Sequence, residues 1–553
     1  MSSRQKIGLI ISLIVATIFL ALPQIRNGLN YQYGQGFWGP SGHDMIWHIA
    51  LSHQAQNPLK IQHPTFSGSL LQNYHPFYNL LVNLTSKITN ISIQTLSFQI
   101  LPILFSLLLA ALSFKIGFKL FGYTGGLLHL FFNSFSSSFG WLVSLIRNQD
   151  LYGESIFWSM QSASTLSNPP YTLSLIFIML GLLILLKNKL KTIDYIFLFI
   201  ISLVLPVTKA YATFVWFPLF FLILILNKST LKKYIFFAIT AISSYILFSY
   251  YNSGSTSLFE FNPFWFIHSL IDSPDRLFLP QLSAYRFNLS TILDPRYLAI
   301  EIFTLIIFII GNFSWRVFGF IKPQKQYQKI YFSILPVIIF LFLIPLFFTQ
   351  KGNTWNSIQF LYYSLFLTNI LLTAFFISHL NKKIVKIFLA ITILTSIIAN
   401  IGTYQTYLGN PAPTAIFPKE LEALNFLSKK PKGVILTYPY NPYFKKSFSQ
   451  TPLPLYTYET TAYVSAYTGF PVHLADQMNL QISGYNYQPR LNQINKFFKQ
   501  DSEFENRGLL VNNQIDYIYL VDKQIDSTQL DLTKMSLQKI FDNSYVNIYQ
   551  VNR

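Results

Sequence analysis

Apolar residues along this chain gather in long runs, and short polar stretches separate them. The runs fall at Ile7–Ile25, Ser97–Gly117, Tyr123–Leu145, Pro170–Leu186, Ile193–Val207, Ala210–Leu226, Tyr234–Tyr251, Leu298–Gly311, Ile330–Thr349, Ile358–Ser378 and Ile384–Tyr404. Most are long enough as helices to cross a hydrocarbon layer of about 30 Å. The pattern predicts an all-α polytopic membrane domain of eleven spans over residues 1–404. From Gln405 to Arg553 the runs shorten and alternate, which predicts a separate soluble domain of α/β or α+β type. Its expected strands are Gly433–Tyr438, Tyr463–Tyr467, Asp516–Val521 and Tyr545–Val551. Its expected helices start at Pro418 and cover Pro489–Lys499 and Leu530–Ile540, the first with proline in its opening turn.

Charge gives the spans a direction. Seventeen of the 26 Lys and Arg residues before Gln405 lie at alternate junctions: Arg4 and Lys6, Lys115 and Lys119, Lys187 to Lys191, Lys228 to Lys233, Arg316 to Lys329, and Lys382 to Lys386. Basic loops stay cytoplasmic, so the N-terminus is expected inside and the 405–553 domain outside, as in a prokaryotic plasma membrane. The first run also has the features of a secretory signal, but Ala21-Leu22-Pro23 is a poor cleavage site, so it reads as a retained helix. The net charge of +19 belongs almost wholly to these junctions, since the tail holds 14 basic against 12 acidic residues. With no basic groove or nucleic-acid motif, nucleic-acid binding is excluded. The chain has no cysteine, which excludes thiolate metal sites, disulfides and cysteine nucleophiles.

The acidic residues are concentrated on the outer side. Of the nine carboxylates before Gln405, only Asp194 falls at a cytoplasmic junction; five of the nine histidines lie in the first outer loop, residues 26–92. Any active site therefore faces outward. In that loop Gly39-Pro40-Ser41-Gly42 is turn chemistry, and helical spacing begins near Met45. Asp44 sits in the opening turn, with His43 before it and His48 one turn later on the same face. Tyr74, His75 and Pro76 precede a second, amphipathic stretch. In the second outer loop, 147–169, Asp150 and Glu154 stand four residues apart, so a helix would present both on one face. The third outer loop covers 252–297.

On this Gly-His-Asp segment, the Tyr-x-Pro block and the order of spans and loops, the chain resembles the GT-C glycosyltransferases. These multi-span enzymes use polyprenyl-phosphate-linked sugars, and protein O-mannosyltransferases and the lipid-A aminoarabinose transferase share the plan. The resemblance implies a polyprenyl-phosphate sugar donor and a glycan, lipid or protein acceptor. Asp44 matches the family's first-loop acid and would be the general base. Its Gly-His-Asp departs from the Asp-Glu pair of the mannosyltransferases, and Asp44 as a plain helix cap is the competing reading. Asp150 and Glu154 would assist it, or form a solvated helix face. His43, His48, Tyr74 and His75 would support it. Asp44, His48 and His75 have ligand types suited to a divalent metal ion, although their spacing fits no known motif. For His53 and His63 the expectation is an ordinary interfacial position.

A lipid-phosphate donor needs cations at the outer leaflet. Lys209 occupies a tight outer turn, Pro206-Val207-Thr208-Lys209, where it either binds phosphate or snorkels to headgroups. Arg276, Arg286 and Arg296 lie in the third outer loop, near Phe264-Trp265-Phe266; Trp355 starts a helix on the same side, and such aromatics commonly form an interfacial belt. The tail has no phosphate loop, serine elbow or metal spacing, and its many tyrosines suit acceptor or carbohydrate recognition or a structural lid. Two other classes remain open on the sequence: a non-catalytic glycan-binding or assembly protein, and a lipid or solute transporter. The second would predict charged, broken midplane helices and internal repeats, which the spans lack.

Overall fold

The structure, a computed structural model, describes residues 1–252, 259–291, 294–499, 502–528, 535 and 537–552. The chain divides into two compact units. One comprises Met1–Pro23, Pro102–Tyr251 and Thr256–Leu408; the other comprises Gln24–Leu101 and Gly409–Arg553. The first outer loop thus joins the tail in one unit. Backbone pairing explains this, because strand Gly34–Phe37 pairs antiparallel with Thr414–Ile416.

The first unit is helical. Among the described residues, seven helical segments are long and apolar enough to cross a membrane, and three shorter apolar helices lie at Pro169–Leu185, Thr192–Thr208 and Ala210–Leu226. One long element, Leu101–Phe135, is broken at Gly122, whose φ of +74° reverses the chain where any other residue would be strained. The expected span Tyr123–Leu145 is interrupted. Its helix stops at Phe135, and a second helix, Gly140–Asn148, begins after Ser136-Ser137-Ser138. The serine segment finds partners elsewhere: Arg316 donates to the Ser137 carbonyl at 3.2 Å and Ser162 Oγ to the Ser136 carbonyl at 2.8 Å.

Arg316 itself departs from expectation. Assigned by sequence to a cytoplasmic junction, it is only 4% exposed and donates through Nε to Asn369 Oδ1 at 3.1 Å. Asn369 lies at the middle of helix Gln359–His379. The short helix Ser314–Phe320 folds back along that helix, bringing the guanidinium inside the bundle. Asn369 continues the polar chain to Asn133 (2.9 Å), which in turn donates to Ser113 Oγ (2.9 Å).

The second unit holds two four-stranded sheets. In one, Asn30–Tyr31, Gly34–Phe37, Thr414–Ile416 and Leu453–Pro454 lie in that order. In the other, Val434–Thr437 pairs parallel with Ile515–Val521, which pairs antiparallel with Val546–Val551, and Leu537–Asp542 forms the edge. Leu436, Ile518 and Leu520 of this sheet pack with Ile494, Phe497 and Leu510 of flanking helices to form its core. The helices expected at Pro418 and at Pro489–Lys499 are present as Pro418–Ser428 and Gln488–Lys499. Two expectations fail. Tyr463–Tyr467 is a helix, Tyr463–Thr468, closed by Gly469 at φ +73°, since all its side chains but one are buried and no alternation is needed. Of the helix expected at Leu530–Ile540, residues 530–534 and 536 lie outside the described residues, and from Leu537 the chain is strand. There Asn547 opposite Asp542 sets the register.

Candidate active site

Helix Asp44–Gln54 opens with His43 at the N-cap and Asp44 in the first turn, directly after the one-turn helix Gly39–Gly42. The rest of the helix is sunk in the second unit: Met45, Ile46, Ile49, Ala50 and Leu51 are all 1% exposed or less. That burial fixes the helix and leaves its N-terminal end as the open part. The Asp44 side chain is 47% exposed, and its Oδ1 lies 2.8 Å from His43 Nδ1. Burial of His43 works to lower its pKa, but the charge of Asp44 and the bond to it prevail, and the imidazole is raised above its usual value. His43 is thereby biased toward imidazolium, and its bond orients the Asp44 carboxylate.

A second acid, not singled out in the sequence, stands beside this pair. Asp476 is 3% exposed, has a left-handed backbone (φ 52°) and caps helix Gln477–Ile482, accepting from Asn479 Nδ2 at 2.8 Å. Burial pushes its carboxyl up to about 7, with bonds from Asn479 and the charge of His43 opposing and that of Asp44 adding. The signal in the sequence was Asp476 followed three residues later by an amide, an ordinary helix-capping pattern that carries no hint of partners 430 residues upstream.

Tyr74 belongs to the same cluster. Its hydroxyl accepts from Trp47 Nε1 at 2.7 Å, its ring stacks on His75 at 4.6 Å, and burial raises its pKa, with Asp44 and Asp476 adding to the rise. His48 faces elsewhere: it is 5% exposed, packs edge-on against Tyr78 at 5.4 Å and meets Asn79 Nδ2 at 3.3 Å. Asp44, His48 and His75 therefore do not converge as metal ligands, because His48 is committed to Asn79 and His75 to the Tyr74 face. Among the described residues no group of three or more His, Asp or Glu could hold a metal ion. His63 is interior, 0% exposed, and His53 is half-buried: burial lowers their pKa to about 3 and about 4 respectively.

Next to Asp476 a cleft enclosing roughly 540 Å³, part of it open to solvent, is walled by Tyr438, Tyr440, Tyr456, Tyr458, Tyr463 and Tyr519. Tyr458 carries the wall back to the first pair, its ring centroid 6.4 Å from that of His43. Behind the cleft Glu420, fully buried, lies 3.4 Å from the Tyr519 hydroxyl, and burial pushes its carboxyl up to about 7.

The remaining predicted residues belong to the first unit. Asp150 and Glu154 do not share a helix face. Helix Gly140–Asn148 ends with Gln149 at φ 58°, and Asp150 Oδ1 accepts from Tyr152 N at 2.9 Å, a local turn that replaces the next helical bond. Gly153 then presses on the Gly140 backbone so closely that a Cβ would overlap it. Glu154 accepts from Ser164 Oγ, and burial raises it to about 7. Arg276 stacks 3.8 Å over Trp158 and donates to the Ser155 carbonyl at 2.5 Å, so the second and third outer loops interlock. Trp265 and Trp355 join Trp158 at 5.8 and 6.2 Å. Arg286 and Arg296 each face a carboxylate, Asp272 at 3.1 Å and Asp294 at 2.8 Å. Lys209 is 5% exposed, with its ammonium 5.4 Å from the Tyr211 ring centroid.

Neither a family model nor a curated protein matches the sequence. Among solved structures, the chain is similar to the Archaeoglobus fulgidus oligosaccharyltransferase tethered with an acceptor peptide, at 10% identity and a TM-score of 0.48, over 93% of this chain and 69% of that one. The Archaeoglobus fulgidus oligosaccharyltransferase AglB in complex with an inhibitory peptide and a dolichol-phosphate is similar at 10% identity and a TM-score of 0.48, over 94% and 70%. ArnT from Cupriavidus metallidurans in the apo state is similar at 10% identity and a TM-score of 0.41, over 99% and 98%.

Proposed function

We propose that this chain is a membrane glycosyltransferase that moves a sugar from a polyprenyl-phosphate-linked donor to an acceptor hydroxyl, with Asp44 as general base. The observation that carries the reading is the half-exposed Asp44 carboxylate bonded to a His43 whose pKa it raises. An isolated surface aspartate on a helix would have no such partner. The chemistry follows from that arrangement. The acceptor oxygen attacks the anomeric carbon, its proton passes to Asp44 Oδ, and the bond from that carbon to the phosphate oxygen breaks. The polyprenyl phosphate leaves as an anion stable at neutral pH, so no acid need protonate it, and one carboxylate suffices. His43 orients Asp44 for the proton transfer.

The positive-inside charge bias supports an N-terminus in the cytoplasm, with the Asp44 loop and the tail outside. For the donor phosphate the candidates are Lys209, Arg276, Arg286 and Arg296; each of the three arginines also faces a carboxylate, Asp275, Asp272 and Asp294 respectively. Glu154 and Asp150 are assigned an assisting part on the membrane unit, in binding rather than proton transfer. The test is transfer from a panel of polyprenyl-phosphate sugars by purified protein in lipid nanodiscs. Loss of turnover in a folded Asp44→Asn variant supports the assignment; undiminished turnover removes Asp44 from the mechanism.

A further inference from the structure

We propose that the tyrosine-lined cleft of the second unit is a saccharide subsite, and therefore that the acceptor is a glycan rather than a peptide or a lipid headgroup. The inference rests on the transferase reading only in the word acceptor; the saccharide site stands on the cleft.

The lining decides the ligand class by what it offers and what it lacks. It contains no Lys, Arg or His, which argues against a phosphate, sulfate or carboxylate ligand. Its polar groups are Asp476, Glu459, Gln477, Gln524 and Thr461 together with the phenols. Amides, phenols and alcohols each both donate and accept hydrogen bonds, which is the complement of a sugar hydroxyl. Tyr440 and Tyr438 supply ring edges and hydroxyls for a pyranose, while the hydroxyls of Tyr456, Tyr519, Tyr463 and Tyr458 are held by Asp522, Glu420 and Thr414 and leave their rings as the apolar wall.

Two independent observations point to an absent partner. Thr461, 8% exposed and part of the lining, has an Oγ1 with no hydrogen-bond partner, a costly state for a buried hydroxyl unless a ligand completes it. The lining also includes Asp476 and Tyr458, both of which neighbour His43. A glycan seated in it would direct its terminal hydroxyl toward the His43–Asp44 pair, which is where an acceptor must deliver one.

The experiment uses the full chain in nanodiscs and a fluorescently labelled panel of neutral di- to tetrasaccharides with gluco, manno, galacto and N-acetylhexosamine units, read by anisotropy. At least one member is expected to bind saturably. Tyr440→Ala and the conservative Thr461→Val should weaken it at least fivefold, with unfolding temperatures unchanged. Asp44→Asn should bind it as wild type does while losing transfer. Failure of every member to bind folded wild type, or equal binding by wild type and both cleft variants, overturns the inference. Binding of spermidine but of no saccharide overturns it in favour of a cation cage. Saccharide binding without any transfer would sink the transferase reading and leave the subsite standing. Transfer to a peptide or lipid without saccharide binding would do the reverse.

Discussion

Asp476→Asn separates a buried acid from its charge while keeping its shape. The folded carboxyl titrates near 7 against an ordinary value of 3.8. About three units correspond to about 4 kcal/mol between the protonation states. The sign is set by which state holds more protons. Between pH 4 and 7 the folded unit keeps the Asp476 proton and the unfolded chain has lost it, so stability falls as pH rises. The stabilising contribution is complete below about pH 4 and gone above about pH 7. Asparagine can still accept from the Asn479 backbone, but its amide meets the Asn479 side chain donor, at a pH-independent cost of about 1 kcal/mol. The variant should therefore match wild type near pH 4.5, where ionisation of the unfolded wild type already offsets that amount, and be more stable at pH 8 by up to about 3 kcal/mol. The two unfolding-temperature curves should meet near pH 4.5 and separate as pH rises. Scanning fluorimetry in nanodiscs from pH 4.5 to 8.5, with circular dichroism to identify the unit that melts, measures it. Parallel curves across the range would refute the raised pKa and with it the picture of Asp476 as a buried, mostly charge-averse wall of the cleft.

Asp44→Asn should lower turnover by 10²–10⁴-fold, the usual span for a positioned base, with donor binding retained. Asp44→Asn should also return His43 toward lower pKa, visible as an upfield-moving imidazole titration by NMR of labelled protein, since the Asp44 charge and bond are what raise it. Glu420→Gln should remove a second loss of stability between about pH 4.5 and 7, again about 3 kcal/mol at full extent, because burial holds that carboxyl near 7. Arg316→Met should lower the unfolding temperature at every pH. It leaves the Ser137 carbonyl short of a donor inside the bundle, at about 1–3 kcal/mol, while Asn369 Oδ1 keeps the bond from Ser136 Oγ. A thermal shift equal to wild type would show the network to be dispensable.

The apolar runs made the helices legible because a bilayer-length run needs no partner to be recognised. Helices stand at Ser3–Ile25, Leu231–Tyr251 and Lys383–Leu408, close to where the runs predict them. Asp44 was legible for a similar reason, since turn residues, an acid and helical spacing are adjacent in sequence. What escaped was whatever depends on contacts remote in sequence. Tyr463–Tyr467 alternates like a strand, yet its six-residue helix is decided by burial on all sides and by Gly469. Arg316 reads as one more basic loop residue until Ser314–Phe320 is laid against Gln359–His379. Asp150 and Glu154 have helical spacing, but Asp150 bonds its own backbone two residues on and the helix ends before it.

Asp476 is the instructive omission, because it locates where the surroundings of the proposed base are made. The first-loop helix supplies an acid and its histidine, but a half-exposed Asp–His pair at a helix start would by itself be an ordinary surface feature worth little energetically. What changes its character is the tail. Strand Gly34–Phe37 is bound to Thr414–Ile416, and Gln54 Nε2 donates to the Gly469 carbonyl at 3.0 Å. These ties close Asp476 and Tyr458 against the start of the helix. The tail thus furnishes the aromatic wall, the low-dielectric surroundings that raise Asp476, and in Asp476 a second acid that adds to the rise of His43. A soluble lid would need none of these charged neighbours, and burying an acid beside another acid costs stability that a merely structural cover has no reason to bear. The placement of that cost beside Asp44 is the strongest physical ground for reading the first loop and the tail as one site.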